Sequence, residues 1–402
     1  MVSNLLQRYE KSRAIQNKSI VFIAKTEYLR DFIRKDTKKF ESSHVLSMFL
    51  HFFVYLCSNM ETNSYIKQFS DIMKGKKIMY VHGFGSSGQT GTVKRIQEML
   101  PNATVVAEDI PIHPAEGMAM LKAMTEREKP DLIIGTSMGG MYAEMLYGYD
   151  RILINPAFEI ADTMGAHGLT GKQVFQNPRK DGIQEFIVTK AIVKEYREMQ
   201  EQCFKGLESL SEEERTAERN RVWALFGDKD ELVDTYDLYM QHYNQGISFH
   251  GEHRTNDKVF HDSVMPLIRW IDDKQEGRER QIIYTTIDTL RDNRGMQRSS
   301  AMKAFRYLIE TYNVFIVAEA PYRDLSSMQD ICQWVQENVN VPAYKHLIFT
   351  HRKDLLYGDY LIDNTSNNRS DDFLGTRIAF GSDTFKTWEE IITFFERLGN
   401  AG

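Results

Sequence analysis

The sequence predicts an α/β protein: a parallel sheet with helices on both faces, interrupted by a mostly helical insertion and succeeded by a second, smaller α/β domain. Three observations predict it. From about residue 76, short apolar runs alternate with helical stretches; residues 157 to 220 break that rhythm with a long charged segment; and a new β/α series starts at "QIIYTTID", after the linker-like charge run "DKQEGRERQ". Alternation of this kind calls for a parallel sheet covered on both faces.

Taken in order, the first 75 residues differ from the rest of the chain. "FIRKDTKKFESSH" is basic and polar, and "VLSMFLHFFVYLC", residues 45 to 57, is apolar. At 13 residues that run is short of the ~20 a membrane helix needs. It lies far from Met1 and lacks a small-residue cleavage site, so no signal peptide is expected. The stretch reads as a poorly ordered or partly helical extension, with a membrane or partner-binding helix as the alternative; were the start codon over-called, Met60 or Met73 would be the natural starts. The apolar runs "KKIMYVHGF", "ATVVAEDI", "PDLIIGTS", "RILINPA", "RVWALFGD" and "GISFHGEH" each lead into a turn and read as strands. "GTVKRIQEML" and "GMAMLKAMTERE" read as helices between them, and within the insertion "QEFIVTKAIVKEYREMQEQCF" carries apolar residues at helical spacing.

Composition narrows the function. A chain of 402 residues, 42% hydrophobic and 26% charged, is globular and long enough for two or three domains. The net charge of −6 is spread along the chain and leaves no basic stripe for nucleic acid. Three cysteines, Cys57, Cys203 and Cys332, stand far apart in no metal-like spacing, which fits a reducing compartment. With no signal and no membrane span expected, the cytoplasm is the expected location.

The chemistry centres on "PDLIIGTSMGGMYAEML", residues 130 to 146. A strand pattern ends in Gly135-Thr-Ser137-Met-Gly139 and a helix pattern comes next, the context of a nucleophile elbow, in which small flanking residues relieve a strained turn. An acyl-transfer serine needs a base, and the base needs an acid to orient it. In this architecture they come after the serine in the order acid, then histidine. "VWALFGDKDELVD" offers Asp230, with Asp228 as its competitor, and "ISFHGEHRTND" offers His253, with His250 as competitor inside the strand pattern. An oxyanion would be held by backbone N–H groups. Met138 is next to the nucleophile, and Phe84 lies in the turn after the first strand. His82 is read as shaping that turn and His261 as a surface or helix-cap residue.

These residues carry a resemblance. Residues 76 to about 275 resemble the small esterases of the YqiA type in the α/β-hydrolase superfamily, on "MYVHGFGSSGQT", "GTSMGG", "INPA", "GDKDELVD" and "GEH". The resemblance implies an α/β-hydrolase sheet, cleavage of a small-molecule carboxylic ester or acyl thioester, no cofactor, and a triad of Ser137, Asp230 and His253. It also places the insertion where caps emerge, over an acyl pocket that Met138, Phe84, Phe158 and Phe175 would line, unless those aromatics are core.

Residues 280 to 398 resemble the haloacid-dehalogenase-like 5′(3′)-deoxyribonucleotidases, on "YNVFIVAEAPY", "WVQENVNVPAYKHLIFTHRKDLLYGDYLIDN" and "FLGTRIAFGSDTFKTWEEII". That family implies a Rossmann-like sheet and a pair of aspartates with magnesium, because phosphoryl transfer depends on positioning and charge neutralisation. Here Thr286 stands at the nucleophile position, Asp288 is retained, Ala318 replaces the usual hydroxyl residue and Asn364 replaces a common second carboxylate. Lys353 and Asp363 match the phosphate-binding lysine and a metal-binding aspartate. A threonine without a base is a poor nucleophile, so a catalytically inactive domain is expected, kept for packing, for forming a homo-oligomer or for binding a phosphorylated ligand. Magnesium loses part of its ligand set. The expected activity is that of a serine esterase; the alternatives are a nucleotidase-like phosphatase and a non-catalytic binding or scaffold protein.

Overall fold

Six parallel strands form the first sheet, in the order β2-β1-β3-β4-β7-β8: β1 (Lys77–Val81), β2 (Thr104–Val106), β3 (Leu132–Thr136), β4 (Arg151–Ile154), β7 (Val222–Gly227) and β8 (Gly246–Phe249). The computed structural model describes residues 67–322 and 325–399. The apolar run at 45–57 and most of the extension expected over 1–75 lie outside them. Residues 67 to 75 do not behave as an extension: Phe69, Ile72 and Met73 are buried in the core beneath the sheet, and the Phe69 N–H donates to the Met99 carbonyl at 2.7 Å. No helix among the described residues is long and apolar enough to cross a membrane.

The central strands β3 and β4 are mostly apolar because both faces are covered, with Arg151 fully buried at the start of β4. Alternation along them divides the core. Met79, Val81, Ile133 and Leu153 face one layer, with Met118 and Leu121 of α2 (Pro114–Glu128), Met141 of α3 (Met138–Glu144) and Tyr239 of α8 (Tyr236–His242). Ile78, Tyr80, Ile134 and Ile152 face the other, with Val93 and Ile96 of α1 (Gly91–Met99) and Leu267 and Ile268 of α9 (Met265–Glu276). The Thr90 hydroxyl caps α1 by accepting from the Thr92 N–H at 2.9 Å.

Between β4 and β7 the insertion holds α4 (Ile160–Ala166), a hairpin of antiparallel strands β5 (Gly171–Val174) and β6 (Glu185–Val188), then α5 (Lys190–Gln200), α6 (Lys205–Glu208) and α7 (Glu212–Arg219). The segment "QEFIVT", expected as helix, is therefore strand and cap. Phe186, Ile187 and Val188 are the aromatic and β-branched residues that strands favour. The helix starts only after Thr189, whose Oγ1 accepts the Ile192 N–H at 3.2 Å.

The second sheet is parallel too, in the order β11-β10-β9-β12-β13: β9 (Ile282–Thr286), β10 (Asn313–Ala318), β11 (Leu347–Phe349), β12 (Tyr360–Asp363) and β13 (Thr376–Ala379). Helices α10 (Ala301–Thr311), α11 (Ser326–Asn338) and α12 (Trp388–Gly399) complete its core. The charge run between the sheets is not a loose linker. α9 continues to Glu276, Gly277 ends it in a left-handed cap (φ 60°), and Arg278 and Arg280 return to Asp273 at 2.6 and 2.5 Å. Val341, from the second half, is fully buried in the core under the first sheet.

Candidate active site

Ser137 sits between β3 and α3 with φ 55° and ψ −120°, a backbone conformation that L-residues rarely adopt. Its surroundings dictate the turn. A Cβ on Gly139 would lie 2.0 Å from the Val81 carbonyl oxygen, and one on Gly135 would lie 2.3 Å from that of Gly139. Only glycine lets strand, turn and helix approach this closely. The Ser137 N–H donates to the Ile154 carbonyl at 2.9 Å, and the Ser137 carbonyl accepts from Gly140, Met141 and Ala157. The residue is half-buried, at the carboxyl end of the sheet.

Asp230 and His253 come after β7 and β8, on the same edge. His253 Nδ1 lies 2.7 Å from Asp230 Oδ2, with the aspartate side chain 1% exposed and the imidazole 18%. The other Asp230 oxygen accepts the N–H groups of Leu232 and Val233 at 2.9 and 3.0 Å, fixing the carboxylate. The competitors form a pair of their own: His250 Nδ1 is 2.7 Å from Asp228 Oδ2, but both side chains are largely exposed, 59% and 41%. Burial separates the two pairs, because a screened surface pair holds an imidazole weakly.

His82 is buried in the turn after β1. Its Nε2 accepts the Ile110 N–H at 3.0 Å and its Nδ1 faces the Gly83 carbonyl at 2.8 Å, so the ring is a neutral brace; burial pushes it down to about 4. That turn abuts the serine, since a Cβ on Gly83 would lie 3.8 Å from Ser137 Oγ. Neither the Phe84 nor the Met138 N–H has an acceptor among the described residues. His261, expected at the surface, is largely buried and pairs with Asp262 on a segment facing the second half, with Glu310 4.0 Å away.

The hairpin β5–β6 lies over this edge. The Gln176 N–H donates to the Gly85 carbonyl, the Asn177 side chain donates to Ser86 Oγ, and Arg254, next to His253, donates to the Gln176 side chain at 2.6 Å. Beneath it the Phe84 ring meets Phe186 and Tyr196 edge-on, at 5.4 and 5.9 Å, and Phe175 packs on Phe186 at 4.4 Å. Phe158 is not among them: it is 2% exposed, packed on Phe204 and Tyr239, and belongs to the core.

Asn155 is the residue that sequence reasoning missed. It is 2% exposed, at φ 46°, accepts the Gly227 N–H at 2.7 Å, and donates to the Glu252 and His253 carbonyls at 3.1 and 3.0 Å. It bridges the end of β4, the end of β7 and the histidine loop. The available signal is a polar residue before proline in the buried run "RILINPA".

In the second sheet, Thr286, Ala318 and Asp363 end the adjacent strands β9, β10 and β12, so the motif positions do converge. Lys353 and Asp363 are brought together, but chiefly with each other. Lys353 Nζ and Ser370 Oγ each lie 2.5 Å from Asp363 Oδ2, while Thr286 Oγ1 and the Thr365 N–H reach Oδ1 at 3.3 and 3.2 Å. Both Lys353 and Asp363 are buried; Asp288 and Asn364 are exposed. A magnesium ion would meet one carboxylate whose two oxygens are already engaged, so these residues do not fit the metal that the nucleotidase resemblance implies.

Comparison with known proteins finds two families along the chain, with matches that overlap over residues 222–263. Residues 77–263 match the model of an uncharacterised protein family, UPF0227, and residues 222–393 match that of 5′ nucleotidase, deoxy (pyrimidine), cytosolic type C protein. Over 94 residues the chain is 37% identical to a Vibrio phage KVP40 protein described as a candidate 5′(3′)-deoxyribonucleotidase, covering 23% of this chain and 55% of that protein. Over 80 residues it is 32% identical to the 5′(3′)-deoxyribonucleotidase of Clostridium acetobutylicum, covering 20% and 42%. The chain spans about half the length of the curated relatives it matches. Similar solved structures include a thioesterase domain from the curacin biosynthetic pathway (14% identity, 51% of this chain and 92% of that one, TM-score 0.29). Tomato methylketone synthase I with 2-tridecanone is another (10% identity, 51% and 99%, TM-score 0.34).

Proposed function

We propose that the chain is a serine hydrolase that cleaves a carboxylic ester or acyl thioester. The observation that carries this reading is the buried Asp230–His253 pair, on the same sheet edge as a serine held at φ 55°. In the reaction, His253 takes the proton of Ser137 as the serine oxygen attacks the acyl carbon, and Asp230 stabilises the imidazolium that forms. The Met138 and Phe84 N–H groups receive the oxyanion. The imidazolium then protonates the leaving alcohol or thiol, and water, activated by the same histidine, releases the acid. The aromatic group of Phe84, Phe186 and Tyr196 supports an apolar acyl chain as substrate.

A fluorophosphonate probe tests this without knowledge of the substrate, since it needs only an activated serine. Wild type should be labelled, and labelling should vanish in Ser137→Ala and His253→Ala. A folded wild type that takes no label overturns the reading.

A further inference from the structure

A cavity of about 310 Å³ lies where the two halves meet, at the edge of each sheet opposite its candidate site. Trp223 and Asn313 reach it from the amino-terminal ends of β7 and β10, whereas Ser137, Thr286 and Asp363 stand at or just beyond strand carboxyl ends. The volume falls in the range of roughly 300–1,000 Å³ usual for small-molecule sites, which favour domain interfaces.

One wall is aromatic. Trp270 stacks on His346 at 5.3 Å and 12°, and Trp223 meets Trp270 at 5.7 Å and Tyr344 at 5.9 Å. The other is cationic: Arg269, Arg278, Arg280 and Lys345 line it against a single carboxylate, Asp273, in a chain of net charge −6. Arg278 and Arg280 are already paired with that aspartate. Arg269 is not. It is 6% exposed, its Nη1 makes one long bond of 3.4 Å to the Tyr312 carbonyl, and its Nε has no partner. A buried guanidinium N–H left unpaired is costly; Tyr142 Oη and Arg151 Nε are unpaired too, and of the three only Arg269 lines this cavity. Burial and the neighbouring Arg280 lower Arg269 to about 10 against the opposing pull of Asp273 and Glu310, so it stays charged at neutral pH.

We infer that this junction cavity binds a small anion carrying a planar ring, in the size class of a nucleoside 5′-monophosphate. The ring lies against the tryptophans and the anion is held by Arg269 and Lys345. Cations and ring faces together select such a molecule over either half alone.

Two of the chain's four tryptophans line the cavity, so its own fluorescence reports binding. The full-length protein is titrated with deoxyadenosine 5′-monophosphate, deoxyadenosine and inorganic phosphate. The monophosphate should quench saturably with Kd below about 1 mM, and bind at least about tenfold more tightly than either half-ligand. Lys345→Glu, at an exposed position, should weaken binding about tenfold or more while leaving Tm unchanged, and Arg269→Gln should do at least as much. Absence of saturable binding overturns the inference. So does equal binding of phosphate alone, or binding that survives Lys345→Glu and disappears in Lys353→Ala, which would put the ligand in the second sheet's strand-end cluster.

Discussion

The side-chain amide of Asn155 donates to the main-chain oxygen of His253 at 3.0 Å. The histidine loop is thus fixed through its backbone as well as through Asp230. Asn155→Ala removes two donated bonds and the acceptor of the Gly227 N–H. It should cost roughly 1–3 kcal/mol of stability in urea unfolding. Ester turnover should fall about tenfold to a hundredfold, because small displacements of a catalytic group are expensive. Asn155→Asp, which turns a carboxylate toward two carbonyls, should be no milder. Wild-type turnover in a folded Asn155→Ala protein would deny the bridge its role.

The two histidine–aspartate pairs make opposite predictions. Asp230→Asn should reduce kcat by about 10³–10⁴-fold, as loss of the orienting acid does in serine hydrolases. Asp228→Asn and His250→Ala should stay within about threefold of wild type, since an exposed pair contributes little. Steady-state rates on a short acyl ester decide it, and the reverse ranking would move the acid to Asp228.

Much of this site is legible in the sequence. The elbow can be read because its glycines are forced by contacts such as Gly139 against the Val81 carbonyl, which leave small residues on both sides of a serine. Asp230 and His253 can be read from their order and strand ends. Choosing them over Asp228 and His250 rests on position, and the burial that separates the pairs is a tertiary property. The hairpin resembles helix in sequence because Ile187, Val188, Ile192 and Val193 also suit helical spacing, and Thr189 divides them only through a cap. Asn155 is invisible as a bridge because both the loop and the strand it joins are about seventy or more residues away.

His82 sets a pH dependence. Its folded value is about 4 against an ordinary 6.5, so the unfolded chain binds a proton in that window that the folded chain refuses. The stability contributed by the neutral brace is fully present above pH 6.5 and is lost as pH falls toward 4. The loss amounts to about 3 kcal/mol in total. Urea unfolding at pH 7 and pH 4.5 should show a smaller fall for His82→Gln than for wild type. Equal falls would mean the imidazole is not held neutral.

For the second sheet, wild type should release no phosphate from deoxyribonucleoside monophosphates above background, with or without magnesium. Thr286→Asp alone should not restore release, because Asp363 is held by Lys353 and Ser370. Lys353→Met should cost about 3–5 kcal/mol by stranding that buried carboxylate. Phosphate release that tracks enzyme concentration and disappears in Thr286→Ala would overturn this account.

Val341 bears on how such a chain changes over generations. A side chain from the nucleotidase-like half completes the interior of the other half. Whatever the first half's fold requires therefore extends to the segment that carries Val341, without extending to Thr286 or Asp363. Substitutions at Thr286 and Ala318 leave that contact untouched, whereas deleting the half that carries Val341 uncovers apolar surface on the rest.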